Sequence, residues 1–248
     1  MRRMIRLVFF FLTATLLSAQ ATAPEVEVSA EPHHHLVFEN SVVRVFDVAI
    51  APHSESLMHW HRHDYINVML GPTEVVNAVQ GKDPVTVKLV DGETHFAAAP
   101  FAHIARNISD QPFHNLTIEI LDDAKLRESS AGGLAGGLAK WPEDRGLEIL
   151  SGGTQEILFV KDAIRVSEFD LEPSGAVPSR ARSGPLLLVA LTDLNLYTND
   201  PRTHGGHEPA PTPAHFNAGD SQWLPDGWRR PLVNAGHTAV KFVTLEFP

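Results

Sequence analysis

The chain has 248 residues, with 30 acidic against 20 basic side chains, a formal charge of −10, no cysteine and 14 histidines. A hydrophobic fraction of 43% and a charged fraction of 20% supply enough apolar surface for a core and exclude wholesale disorder; the acidic balance argues against a nucleic-acid partner, which needs clustered Lys and Arg. Without cysteine there are no disulfides, iron–sulfur clusters, thiolate zinc sites or cysteine nucleophiles, so any metal must be held by nitrogen and oxygen.

Residues 1–21 read as a secretory leader. Arg2, Arg3 and Arg6 form a basic start, and Leu7–Leu17 is an apolar run. Ser18–Ala23 is a small-residue stretch in which Ala19-Gln20-Ala21 fits the rule for cleavage after Ala21. The run is too short to cross a bilayer, which takes about 20 apolar residues. Loss of the three arginines takes the formal charge from −10 to −13. The mature chain is therefore expected to be exported to the periplasm or the medium, acidic, and without a stable membrane span. Residues 22–35, with the tract His33-His34-His35, read as an exposed lead-in to the first strand.

Runs rich in Val, Ile and Leu follow at Val42–Ile50, Ile66–Leu70, Val85–Val90 and Leu116–Leu121, punctuated by Ala51-Pro52, Gly71-Pro72 and Asp91-Gly92. Their spacing predicts short β-strands in a sandwich or barrel over 36–121. From Asp122 the character changes: Asp122–Glu128 predicts a helical turn or two and Gly132–Ala139 a flexible connector, together a linker over 122–149. The strand rhythm resumes at Glu156–Val160, Ile164–Leu171, Leu186–Leu191 and Ala239–Phe247, within a second unit over 150–248. The two units overlay. Pro52 to Leu70 and Pro173 to Leu191 span 18 steps each, and Gly92, His103 and Asn107 are spaced as Gly219, Arg230 and Asn234. The stretch between is six residues longer in the second unit, which carries the Pro-rich loop Asn199–Pro213. An internal repeat of about 120 residues accounts for this pattern and predicts two β domains.

His59-Trp60-His61 stands at the start of a predicted strand. Alternate strand residues share a face about 6.5–7 Å apart, so both imidazoles can meet one cation from a single rigid element. His63 and Tyr65 continue that parity, whereas Trp60, Arg62 and Asp64 point the other way. A second strand must supply the remaining ligand, and His103 is the candidate.

These residues give the chain a resemblance to the bicupins of the cupin superfamily. The first cupin motif runs from a glycine through His-x-His and a glutamate to a closing glycine, and here His59, His61 and Gly71 match it. The second motif runs from a glycine through Pro-x-Gly and a histidine to an asparagine; Gly92, His103 and Asn107 match it, with Ala98 and Pro100 in place of its proline and glycine. In the second unit Gly219, Pro225, Gly227 and Asn234 match, and Arg230 takes the histidine's place. The resemblance implies an all-β chain of two double-stranded β-helix (jelly-roll) barrels in tandem. It also implies one divalent transition metal (Fe, Mn, Ni, Cu or Zn) held by His59, His61 and His103, and it is compatible with a homodimer.

Tyr65 stands where the shorter form of the first motif places its glutamate. Tyr65 and His63 are thus the candidate proton-handling groups or a fourth ligand, His63 alternatively orienting the site from outside. Three neutral imidazoles leave the cation's charge uncompensated and favour a small anionic substrate such as a carboxylate, enolate or catecholate. The repeat sets Arg180, Arg182 and Arg230 at the positions of the three histidines. A guanidinium cannot ligate a cation, so the second barrel is expected to be metal-free, either a structural barrel or an anion-binding site. The leading reading is a metal-dependent enzyme, dioxygenase-like or else a decarboxylase, lyase or isomerase. The alternatives are a non-catalytic, metal-stabilised module that binds a sugar or carboxylate, and a scaffold without metal.

Overall fold

In the computed structural model, residues 25–121, 146–161, 164–178, 184–197, 213–225 and 231–248 are described, and most of them lie in β-strands. The leader, the glycine-rich connector, Arg180, Arg182, Arg230 and most of the Pro-rich loop fall outside the described residues. The first half contains β1 (Val26–Glu27), a 3-10 turn (Val28–Ala30), β2 (His34–Glu39), β3 (Val43–Ile50), β4 (His59–His61), β5 (Tyr65–Met69), β6 (Thr73–Val79), β7 (Val85–Leu89), β8 (Thr94–Ala97), β9 (Phe101–Asn107) and β10 (Phe113–Ile120). The second contains β11 (Leu147–Lys161), β12 (Ile164–Val177), β13 (Leu186–Ala190), β14 (Leu194–Tyr197), β15 (Ala214–Phe216), β16 (Ser221–Leu224), β17 (Leu232–Asn234) and β18 (Val240–Glu246). The chain is all-β, as its strand rhythm and turn residues predict.

Two five-stranded sheets make up the first half, ordered β1-β4-β9-β6-β7 and β2-β3-β10-β5-β8. Period-two alternation explains how the second of these serves two cores at once. On β5 and β10, Ile66, Val68, Leu116, Ile118 and Ile120 face one side, and Tyr65, Asn67, Met69, Asn115 and Thr117 face the other. The first face packs against the eight-stranded sheet of the second half in one hydrophobic cluster. The other lines the barrel interior.

Two boundaries move relative to the sequence reading. Residues 25–35 are built into the barrel: β1 pairs in parallel with β4, and His34 begins β2 opposite Val48. Their polar composition conceals a segment strapped down by charge, through Trp60 Nε1 to Glu25 at 2.8 Å and Arg62 to Glu27 at 2.8 Å. The second half begins by Leu147, where β11 starts, because Leu147 and Ile149 extend the long hairpin strand before its pairing with β12 begins at Ser151.

The repeat is visible in the packing. Val43 and Ile164, Val45 and Val166, Ile66 and Leu187, Val68 and Val189 stand 121 apart; Leu116 and Val243, Ile118 and Leu245, Ile120 and Phe247 stand 127 apart; all of them belong to the shared cluster. The contacts are reciprocal. A Cβ on Gly92 would meet Leu191 at 3.0 Å, and one on its counterpart Gly219 would meet Leu70, the counterpart of Leu191, at 3.2 Å. Both glycines adopt positive φ, +76° and +91°, so the tight turn and the close approach both require glycine there.

Candidate metal centre

Strand β4 carries His59 and His61 on one face, both buried, and its antiparallel neighbour β9 sets His103 directly opposite His59. Ring centroids are 4.5 Å apart for His59–His103, 5.0 Å for His59–His61 and 5.3 Å for His61–His103. A fourth imidazole enters from the facing sheet. His34, at the head of β2, lies 4.6 Å from His59 and 6.0 Å from His61 by centroid, and the ligand atoms of His34, His59 and His61 all lie within 4.8 Å of one another.

Neighbouring acceptors fix which nitrogen of each ring is free. His59 Nδ1 donates to the Leu57 carbonyl at 2.8 Å, His103 Nδ1 to Asn77 Oδ1 at 2.8 Å and His34 Nδ1 to Glu31 Oε2 at 2.6 Å. A carbonyl or carboxylate can only accept, so each Nδ1 carries a proton, and in His59 and His103, which burial keeps neutral, Nε2 keeps its lone pair. His59 Nε2 is buried without a hydrogen-bond partner. An orphaned buried lone pair costs stability unless something accepts it, and a divalent cation held by neutral imidazoles fits. His61 differs: its Nδ1 and Glu119 Oε1 are both buried and unpartnered, facing each other at 3.6 Å, so a small rotation of the ring would pair them.

Glu31 is the central acceptor of this second layer. Its buried carboxylate receives His33 N at 2.8 Å, His33 Nδ1 at 2.9 Å, His34 Nδ1 at 2.6 Å and Leu57 N at 3.1 Å. Burial opposes its ionisation, but the hydrogen bonds from His34, His33 and Leu57 outweigh that and hold its pKa far below the usual carboxylate range. The charge of a bound cation is therefore not uncompensated, as the histidines alone suggest: Glu31 and Glu119 lie one layer out.

A cavity of about 240 Å³ opens beside the imidazoles, lined by His34, His59, His61 and His103 together with Tyr65 and His95 among others. Tyr65 packs against His61 at 4.4 Å between centroids, and burial, reinforced by the charge of Glu119, raises its pKa well beyond the ordinary phenol value. A phenol so raised stays protonated near neutral pH, which suits it to donate a hydrogen bond rather than to act as a base. His63 does not line the cavity. The parity that pointed it inward assumes one continuous strand, whereas β4 ends at His61 in one sheet and β5 begins at Tyr65 in the other. His34 is what sequence reasoning missed. Its neighbours His33 and His35 make the tract look like an exposed tail, and nothing in the sequence marks Glu31, three residues upstream, as buried.

In the second half different side chains stand at several positions that match the cavity wall. One matching pair is larger and apolar: Val48 faces Asn115 across β3 and β10, and the matching pair in β12 and β18 is Phe169 and Phe242, stacked at 5.0 Å. Asn67 pairs with His95, and its counterpart Leu188 pairs with Gln222. His34 pairs with Val48, and its counterpart Gln155 pairs with Phe169. Phe169 and Phe242 bring more side-chain volume to these positions than Val48 and Asn115 do, and no histidine replaces His34 or His95.

The buried imidazoles make the metal-free protein acid-labile. Burial, then the charge of His34, lowers the pKa of His59 to about 3; burial, then the charges of His59 and His61, lowers that of His103 to about 2. Burial also lowers His61. The unfolded chain takes up these protons below about pH 6.5 while the folded chain refuses them, so stability present above that pH is lost as pH falls. For His59 and His103 together the loss between pH 7 and pH 5 is about 4 kcal/mol. Urea unfolding of chelator-treated protein at the two pH values checks this, and an unchanged midpoint would contradict neutral buried imidazoles.

No protein-family model and no curated protein matches the sequence. Among solved structures, the chain is similar to the formate complex of Lactobacillus farciminis oxalate decarboxylase, at 13% identity over 87% of this chain and 84% of that one, with a TM-score of 0.55. It is also similar to Bacillus subtilis oxalate decarboxylase at 11% identity over 83% and 68% of the two chains, with a TM-score of 0.54. At such identities the likeness speaks for architecture alone. The architecture, with imidazoles gathered at one end of a β-sandwich cavity, is the cupin fold.

Proposed function

We propose that the chain is an exported metal-dependent cupin enzyme, holding one divalent transition metal at His59, His61, His103 and His34 and acting on a small anion. The supporting observation is the set of imidazoles at the edge of a cavity, three of them, His34, His59 and His103, fixed from behind by an acceptor. A bound divalent cation supplies Lewis-acid polarisation of a carboxylate or carbonyl group and, for a redox-active ion, one-electron chemistry. Tyr65 donates a hydrogen bond toward charge on the substrate. His95, on the cavity wall with Nε2 2.9 Å from Glu93, replaces His63 as the group placed to carry a proton. Decarboxylation and dioxygenase-type chemistry on an enol suit the same donors. Bacillus subtilis oxalate decarboxylase has Mn(II) centres, which makes Mn(II) the first ion to test.

His34 favours a second reading. Four imidazoles fill a tetrahedral zinc site, and such a site is structural; an octahedral ion keeps two positions for a substrate. Elemental analysis of untagged protein, with O₂ uptake and CO₂ release followed on a panel of small acids, separates the two. About one Mn or Fe per chain and chelator-sensitive turnover are expected. Zinc without turnover selects the structural reading, and a folded protein that takes up no metal overturns both.

A further inference from the structure

The walls of the cavity are chemically unequal. Asn67 and Thr117, paired across β5 and β10, and Asn115 beside them form a polar wall on one sheet. Their amide oxygens are engaged: Asn67 Oδ1 accepts from His95 N at 3.2 Å and Asn115 Oδ1 from Thr117 Oγ1 at 2.8 Å. Both Nδ2 groups are left without a protein acceptor among the described residues, ready to donate to an oxygen. On the other sheet Val75, Val87 and Leu89 of β6 and β7 form an apolar patch beside Asn77, whose Oδ1 is taken by His103 Nδ1, and Val48, Ile50 and Phe113 adjoin the amides on theirs. No Lys, Arg, Asp or Glu is among the described residues lining the cavity.

Charge sets the rest. A divalent cation in the cluster meets two buried carboxylates, Glu31 and Glu119, the second shared with Arg44 at 3.3 Å. The net is at most one positive charge. One anionic group balances it; a second would have only His95, already paired with Glu93 at 2.9 Å, as a cationic partner, which is unfavourable in a low-dielectric cavity.

We propose that the site selects a monoanionic oxygen chelator with a hydrocarbon body, a short branched 2-oxo monocarboxylate, over a dianion such as oxalate. The carboxylate and keto oxygens face the imidazole cluster and the amide wall, and the branched carbon chain lies against Val75, Val87 and Leu89. This rests on the metal-centre reading above.

Calorimetric titration of the Mn(II)-loaded protein with azide, 4-methyl-2-oxopentanoate and oxalate tests it. Azide reports whether the loaded centre accepts any anion. The 2-oxo acid is expected to bind about tenfold or more tighter than oxalate, and Asn67→Leu to weaken it about tenfold with manganese content unchanged. Leucine occupies the matching position in the second half, Leu188, so the fold accepts it there. Azide binding with oxalate equal to or tighter than the 2-oxo acid overturns the inference alone. Loss of selectivity for the branched acid in a folded Val87→Asp variant supports the apolar wall, and unchanged selectivity in that variant overturns it. A protein that takes up no manganese, or loads it and binds no azide, overturns the functional reading beneath.

Discussion

His59→Ala abolishes metal retention, whereas His34→Ala weakens it. His59 sits at the centre of the cluster, within 5.0 Å by centroid of each of the other three rings, and its free nitrogen has no alternative partner. His59, His61 and His103 come from adjacent paired strands whose backbone hydrogen bonds fix their spacing. His34 crosses from the facing sheet and depends on Glu31 for its orientation. Groups that only orient a ligand cost about 10–100-fold in metal affinity when removed. Deleting His59 itself should cost more, on the order of a thousandfold, and His34→Ala should fall near the 10–100-fold range. Competition with a chromophoric chelator gives both numbers. The metal-free His59→Ala protein should also resist acid better than metal-free wild type, because a desolvated imidazole has been removed. That second readout distinguishes loss of a ligand from loss of the fold. Wild-type affinity in His59→Ala would remove this cluster from consideration as a metal centre.

Asn107→Ala is expected to destabilise the chain by about 3–5 kcal/mol, a large part of the 5–15 kcal/mol typical of a folded domain. Asn107 is fully buried, and its Nδ2 donates to the carbonyls of Ile50 at 3.1 Å, Ala51 at 3.2 Å and Gln111 at 2.7 Å. Its Oδ1 accepts from Ser109 N at 3.0 Å and Oγ at 2.8 Å. Alanine would strand several of these groups away from water. Asn234 does the same work in the second half, donating to Leu171 O at 3.1 Å and Thr238 O at 2.8 Å and accepting from Gly236 N at 2.8 Å. The asparagine that closes the second cupin motif thus ties a turn to a strand end. Urea unfolding with metal chelated measures the loss, while metal content at saturation should match wild type. An unshifted midpoint would show the network to be dispensable.

The sequence was readable where chemistry and local geometry coincide. His59 and His61 declare themselves by spacing, and His103 by the motif around it. The strands β3, β5 and β13, rich in branched apolar residues, are legible to within one residue at each end, and β12 starts where expected but runs six residues past Leu171. What escaped depends on contacts between distant segments. The strand β9, with its Phe101-Ala102-His103-Ile104-Ala105-Arg106-Asn107, hides its pattern because it carries a ligand, a small wall residue and the turn clamp. His34 could be placed only once β2 was known to pair with β3. His63 was misdirected by a strand that ended two residues before it. The apolar interior of the second half was also hidden, since Phe169 and Phe242 read as ordinary strand residues until their register made them partners.

The cluster shared by the two halves has a thermodynamic consequence. Side chains from both ends of the chain, from Val43 to Phe247, form one packed body, and Trp223 of the second half lies between Phe38 of the first and Phe247. Neither half can open without exposing the apolar face of the other, so the chain is expected to melt as one unit, in a single calorimetric transition. A ligand that binds only the folded state stabilises the whole of such a unit. A cation bound at the histidine cluster would then be felt across the molecule, and the second barrel would gain protection from a ligand it never touches.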